Sequence, residues 1–461
     1  ERNYVAIQLN DNGLQYLNDL SEFVDPMSYP LLFPKGDLGF KLKMQHVGER
    51  KTKFRNEITF REFYNYRLSL RNNEFNPLFF SGPLTQQYMI DAYCKIEANR
   101  LNYLRHNQAS LRVDKYKVVS DFLKDGNNQN PGTENPSLGV PVILPSSYDG
   151  SPRSQIMRYQ DAMAVVSKFG RPDLFVTVTC NPKWPEIINN LQHGQTTFGA
   201  PHLLSRVFKL YLNAIIKEIY KEGILGKVVA FIYVIEFQKR GLPHAHLLIH
   251  FKSEDKLTTP EDVDSIICAE IPDKNNFPLL HATVTTNMIH GPCGSLNPNS
   301  PCMKNIDGKL TCHKKFPKIF SDSTKIGNGF PIYKRREVLE TEYTKKFKGK
   351  TYTIDNRDVV PYNRYLSQKF NCHINIEACH AITAVKYLYK YCYKGHDQGT
   401  LKFVQSDKTE PYDEIKKYLQ GRYVSACEAI WRIFGICLNM NSHAVHRLPV
   451  HLPEMQPVYF N

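Results

Sequence analysis

At 461 residues the chain is long enough for two or three domains with a well-buried core. Its 59 Lys and Arg outnumber 45 Asp and Glu, leaving a net charge of +14, and its 11 cysteines are too few and scattered for a secreted disulfide scaffold. The longest apolar run, "VVAFIYVI" at 228–235, falls far short of the ~20 residues a membrane span needs, and no signal-peptide pattern is visible.

The positive charge recurs in "KTKFR", "HKKFPK", "YKRR", "KKFKGK" and "KYLYKYCYK", interleaved with aromatics. That distribution suits a nucleic-acid surface, where phosphate neutralisation supplies most of the affinity. A basic soluble protein without such a partner is the plainer alternative. Because the chain starts at Glu1 and not at Met, it is expected to be a piece of something longer.

In chain order, "EITFREFYNYRLSL" and "TQQYMIDAYCKIEANRLNYLRHNQASLRVDKY" carry apolar residues at helical spacing. The Gly-, Asn- and Pro-rich stretch at 123–141 reads as a linker. A helix is expected in "SQIMRYQDAMAVVSKFG", a buried strand in "LFVTVTC" (174–180) and an amphipathic helix in "LLSRVFKLYLNAIIKEIYKEG". "KVVAFIYVIEFQ", "KRGLP" and "HAHLLIHF" then read as strand, turn and strand. Residues 285–330 look irregular. Residues 373–395 read as a helix ending at Gly395, and "DEIKKYLQGRYVSACEAIWRIFG" as further helix. Strands interleaved with helices around a hairpin predict an α+β fold with a mainly antiparallel sheet.

His244 and His246 are separated by one alanine. Strand residues i and i+2 share a face, roughly 6.6 Å apart, so both imidazoles can meet one divalent cation. With 239–243 as the loop, Gln238 would lie opposite His244 and Glu236 opposite His246, adding oxygen donors to the same face; a bulge would break that register. A polar sheet face with fortuitous histidines is the competing reading. A zinc-protease His-Glu-x-x-His is absent, and an alternating-histidine hydrolase would want a third histidine where Leu248 stands.

Between 290 and 313, His290, Cys293, Cys302 and Cys312 gather in one irregular loop with little core of its own. Four soft ligands there are consistent with a structural Zn²⁺, with His313 competing for the fourth place and free thiols as the alternative. Along the predicted helix 373–395, which ends in "KYLYKYCYKG", Ala378, Ala381, Ile382, Val385, Leu388 and Cys392 form one helical stripe, with Tyr389 and Tyr393 at its edge. Tyr387 and Tyr391 stack on the opposite face beside Lys394. A phenol with a pKa near ~10 is a poor nucleophile unless activated, and a metal drawing charge from a phosphate would make its attack feasible. Two surface tyrosines on a basic helix are the alternative.

Taken together these segments resemble the Rep part of Helitron transposases, a eukaryotic branch of the HUH endonucleases. The likeness runs over nearly the whole chain through "YPLLFPKG", "QQYMIDAYCKIE", "NRLNYLRHNQ", "LPSSYDGSPR", "QDAMAVVSKFGRPDLFVTVTCNPKWPEI", "EFQKRGLPHAHLLIHF", "MIHGPCG", "SPCM", "FPKIF", "VVPYN", "HINIEACHAITAVKYLYKYCYKG" and "EAIWRIFG". The resemblance implies an HUH/Rep-type central antiparallel sheet flanked by helices, with a largely helical N-terminal region (1–140). The nuclease domain would come in two parts (141–284 and 331–461), separated by a Cys/His-rich insertion (285–330). It implies His244, His246 and Gln238 as ligands of Mg²⁺ or Mn²⁺, with Glu236 the alternative third ligand, and Tyr387 and Tyr391 as nucleophiles. A tyrosine would attack single-stranded DNA to leave a 5′-phosphotyrosine link and a free 3′-OH, and the second tyrosine would permit strand transfer in rolling-circle-like transposition. Lys390 and Lys394 would line the strand's channel, with aromatics stacking on bases.

Such an enzyme is expected in the nucleus. The family also carries a helicase, expected C-terminal to this segment; "GKT" at 349–351 is no phosphate loop, because position 344 is Thr where a Gly is needed. Two other readings are a replication-initiator nickase on the same fold and a domesticated single-stranded DNA-binding module that no longer cleaves.

Overall fold

The structure, a computed structural model, describes residues 4–47, 56–71, 74–108, 142–237, 241–306, 308–327, 329–338, 343–380 and 413–446. The linker assigned to 123–141 lies outside them. A short hairpin, β1 (Tyr4–Gln8) and β2 (Leu14–Asn18), precedes the helices α1 (Phe60–Arg67) and α2 (Pro83–His106). α1 starts at a capping box: the Thr59 hydroxyl accepts from the Glu62 amide, and the Glu62 carboxylate accepts from the Thr59 amide at 2.7 Å. Next come α3 (Pro152–Phe169), β3 (Leu174–Thr179), α4 (Pro201–Ile216), β4 (Val228–Phe237) and β5 (Pro243–Phe251). α3 opens with a Ser151 cap and Pro152, and stops at Gly170, whose φ of 82° suits glycine alone.

Two further hairpins follow, β6 (Met303–Ile306) with β7 (Lys309–Cys312), and β8 (Tyr343–Phe347) with β9 (Lys350–Ile354). Then come β10 (Ile374–Ala378), α5 (Glu414–Leu419), α6 (Ala426–Ile433) and β11 (Asn439–Asn441). Five strands form the main sheet in the order β10-β3-β5-β4-β11, and every neighbouring pair is antiparallel. The fold is α+β, as the alternation of elements predicts.

The central strand β5 is covered on both sides. Its odd-numbered residues Ala245, Leu247, Ile249 and Phe251 face a large core with Leu204, Phe208 and Leu212 of α4 and Trp431 of α6. Its even-numbered residues face the other way, where Leu248 packs with Phe175, Ala230 and Ile232 under Ala162 and Val165 of α3. α3 covers only one end of that second face; His244 and His246 occupy the other.

Two sequence expectations change. The helix predicted from 373 begins as a strand: Ile374, Ile376 and Ala378 are buried and alternate with less buried Asn375 and Glu377, and β10 pairs with β3. Period-two burial beside an open sheet edge outweighs the helical pattern read from residues further on. Further along, the helix expected through 413–435 is two helices, α5 and α6, separated at Gly421 with φ 66°.

Candidate metal centres

The β4–β5 register differs from the expected one by two residues. Glu236 pairs with His244, Val234 with His246 and Phe237 with Pro243. The connection is therefore 238–242, not 239–243. Pro243 starts the strand instead of ending the loop, a position where its missing N–H costs no ladder bond. Gln238, expected opposite His244, lies outside the described residues, and Glu236 takes the position across from that histidine. A two-residue shift preserves facing, so Glu236, His244 and His246 still point to one side of the sheet.

His246 is held on three sides. Its ring stacks on Phe175 with centroids 5.6 Å apart and planes 10° from parallel. Nδ1 lies 3.1 Å from Thr177 Oγ1, and Nε2 lies 3.2 Å from Glu236 Oε2. His244 is only 5% exposed and brings Nδ1 to 2.8 Å from Thr179 Oγ1. Thr177 and Thr179 stand directly across from His246 and His244 on β3. His373 follows on the far side: its carbonyl accepts from the Thr179 amide at 2.9 Å, and its Nδ1 is 3.4 Å from Thr179 Oγ1. Burial lowers the His373 pKa to about 4, so this ring is neutral at pH 7. Two imidazoles and a carboxylate on one rigid face are a donor set suited to a divalent cation. Thr177 and Thr179 were missed from the sequence. "LFVTVT" carries the alternation that puts Phe175, Thr177 and Thr179 on one face, but its neighbour in the sheet is not legible locally.

The second cluster sits in the insertion. The ligand atoms of His290, Cys293, Cys302 and Cys312 all lie within 4.8 Å of one another. The β6–β7 hairpin explains this: Cys302 immediately precedes β6, and Cys312 ends β7 opposite Met303, so the open end of the hairpin brings both thiols together. His290 is anchored from outside by the Ile289–Val359 bridge and by its amide bond to the Asp358 carbonyl, and Phe316 stacks on its ring at 4.1 Å. Cys312 Sγ is 3.4 Å from His290 Nε2. Around a tetrahedral zinc with Zn–S near ~2.3 Å, ligand atoms sit about 3.5–3.8 Å apart, so the donor set and its spacing fit.

His313, the competitor for the fourth position, instead turns Nδ1 to the Cys302 carbonyl at 2.8 Å. Burial, aided by Lys318 and Lys314, lowers the His290 pKa to about 4, which keeps the imidazole in its neutral, ligating form. Burial and the neighbouring thiols push Cys293 up to about 12. This His/Cys cluster can bind a metal such as zinc.

Tyr387, Tyr391, Lys390 and Lys394 lie outside the described residues; β10 is the last described strand before them. Among the described residues, no helix is long and apolar enough to cross a membrane. No curated protein matches the chain. Residues 63–249 match the family model described as the Helitron helicase-like domain at the N-terminus, a segment that runs from within α1 into β5 and takes in both histidines, and this match supports a Helitron transposase-related protein.

Proposed function

We propose that this protein is a metal-dependent single-stranded DNA nickase and strand transferase of HUH type, acting in rolling-circle-like transposition. The observation that carries the reading is the convergence of His244, His246 and Glu236 on one sheet face within the segment that matches the Helitron-like family. His244, His246 and Glu236 would hold Mg²⁺ or Mn²⁺, with Gln238 as a further oxygen donor. The bound cation supplies charge neutralisation at a phosphate. The phenolic oxygen of Tyr387 or Tyr391 then bonds to phosphorus, the bond to the 3′ oxygen breaks, and that oxygen leaves as a 3′-OH with the phenol's proton. The tyrosyl ester left on the 5′ phosphate keeps the bond energy for rejoining, and a second tyrosine allows a second transfer. Lys390 and Lys394 neutralise backbone phosphates. The Cys/His cluster would hold a structural Zn²⁺, a helicase domain would supply unwinding, and the nucleus would be the site of action.

The test is a labelled single-stranded DNA library incubated with Mn²⁺ and resolved on denaturing gels. The expected result is a covalent protein–DNA adduct through the 5′ phosphate exposed at the nick, with a free 3′-OH on the other fragment. It should be lost in the Tyr387→Phe/Tyr391→Phe double variant and in His244→Ala, while the single tyrosine variants rank the two nucleophiles. Tight salt-dependent binding with no adduct at any sequence would instead identify a non-cleaving binding module.

A further inference from the structure

A histidine that ligates a cation through Nε2 must keep that lone pair available, so its ring proton has to sit on Nδ1. That proton needs an acceptor in a fixed place, and outer-shell partners of this kind orient the ring as well. On β5 both histidines have the same kind of partner at Nδ1. Thr179 Oγ1 is 2.8 Å from His244 Nδ1, and Thr177 Oγ1 is 3.1 Å from His246 Nδ1. The repetition is a consequence of register: the pairs Thr179–His244 and Thr177–His246 are successive rungs on one face of one antiparallel ladder.

A hydroxyl suits this position better than a carbonyl or a carboxylate. It accepts from Nδ1–H when Nε2 ligates, and it can turn to donate to Nδ1 when Nε2 carries the proton. The second case fits His246 without a cation, because Nε2–H then donates to Glu236 at 3.2 Å. Thr179 also has an outlet for its own proton in His373 Nδ1, 3.4 Å away, and its amide is tied to the His373 carbonyl. Branching at Cβ restricts χ1 in a strand, so the hydroxyls are held in direction as well as in place.

We propose that Thr177 and Thr179 are positioning residues that set the tautomer and ring orientation of His246 and His244, so that both Nε2 atoms serve one divalent cation. The inference rests on the metal-dependent reading above but makes its own prediction. The full chain is titrated with Mn²⁺, and free Mn²⁺ is read by electron paramagnetic resonance. Wild type is compared with Thr179→Val, the Thr177→Val/Thr179→Val pair, the corresponding serine pair and His244→Ala. Melting temperature and the ¹⁵N-imidazole spectrum of the metal-free protein are recorded alongside.

Valine keeps the shape and branching but removes the hydroxyl. The valine pair should bind Mn²⁺ about 10–100-fold more weakly at an unchanged melting temperature. Its two imidazoles should also show a changed tautomer before any metal is added. The serine pair should stay close to wild type in both readouts. Valine variants that bind like wild type while His244→Ala has lost binding would overturn the positioning role and leave the metal site standing. Serine failing together with valine would show that the hydroxyl does not account for the effect and would overturn the tautomer-setting role. A wild type that takes up no Mn²⁺ would overturn both readings.

Discussion

Glu97 of α2 is buried between Tyr93, Tyr418 and Arg422, which ties the N-terminal region to a segment more than 300 residues away. The two phenols donate to Oε1 at 2.6 and 3.0 Å, and the Arg422 guanidinium donates to Oε2. Burial pushes this carboxyl up, but Arg422 and the two hydroxyls outweigh it and hold the pKa below the ordinary 4.5. A carboxyl with a lowered folded pKa contributes stability that is complete above its unfolded value and is lost as pH falls through the folded one. Glu97→Gln should therefore cost about 3 kcal/mol at pH 7, because buried Arg422 loses its nearer counter-charge and keeps only Glu428, 3.5 Å away. Below pH ~4 the gap to wild type should shrink, and denaturant melts across pH 3–7 check this. Asp25, 1% exposed, is likewise buried among donors: Tyr64, Tyr88, Lys95 and Arg67 all donate to it.

Two elements show how a short segment gains its role from what it packs against. α6 is apolar on two sides: Cys427 and Trp431 belong to the core of the sheet, whereas Ala429, Ile430 and Ile433 belong to the N-terminal core with Tyr64, Tyr88 and Met89. A helix of eight residues is too short to be stable alone, so burial on both sides is what holds it. The β6–β7 hairpin is the opposite case. Its strands are mostly exposed, and an isolated hairpin is marginal in water. Bound zinc would supply the missing folding energy. Native mass spectrometry of the purified protein should find one zinc per chain. Cys302→Ser and Cys312→Ser should lose it, and amide exchange in 303–312 should accelerate in both. A chain that carries no zinc and shows unchanged protection after chelation would remove the structural role.

At the scale of the whole molecule, the N-terminal helices α1 and α2 and the sheet share α6, so those helices are packed onto the sheet through it. The net charge of +14 sets the expected response to salt. Each phosphate neutralised on a single strand contributes about −0.7 to the slope of log K against log salt. Fluorescence anisotropy with a single-stranded oligonucleotide should give a slope of about −2 or steeper, corresponding to three or more phosphates. Binding that does not respond to salt would mean that the basic segments are a solvated surface and not a DNA-binding one.

The long periodic helices, the β4–β5 hairpin and the shared face of His244 and His246 were all legible, because each depends on a local period that the chain itself carries. The Cys/His cluster was legible as a composition, since soft ligands in a coreless loop are unusual wherever they occur. Other features needed the folded molecule. That β10 is a strand follows from the free edge of β3 beside it. The register putting Glu236 across from His244 follows from Pro243 entering the ladder. The choice of His290 over His313 follows from the carbonyl of Cys302. Thr177 and Thr179 took their place beside the histidines only when β3, more than 60 residues earlier in sequence, became the neighbour of β5. Local periods decide which residues share a face, whereas the partner of that face is set by burial and hydrogen-bond satisfaction over the whole sheet.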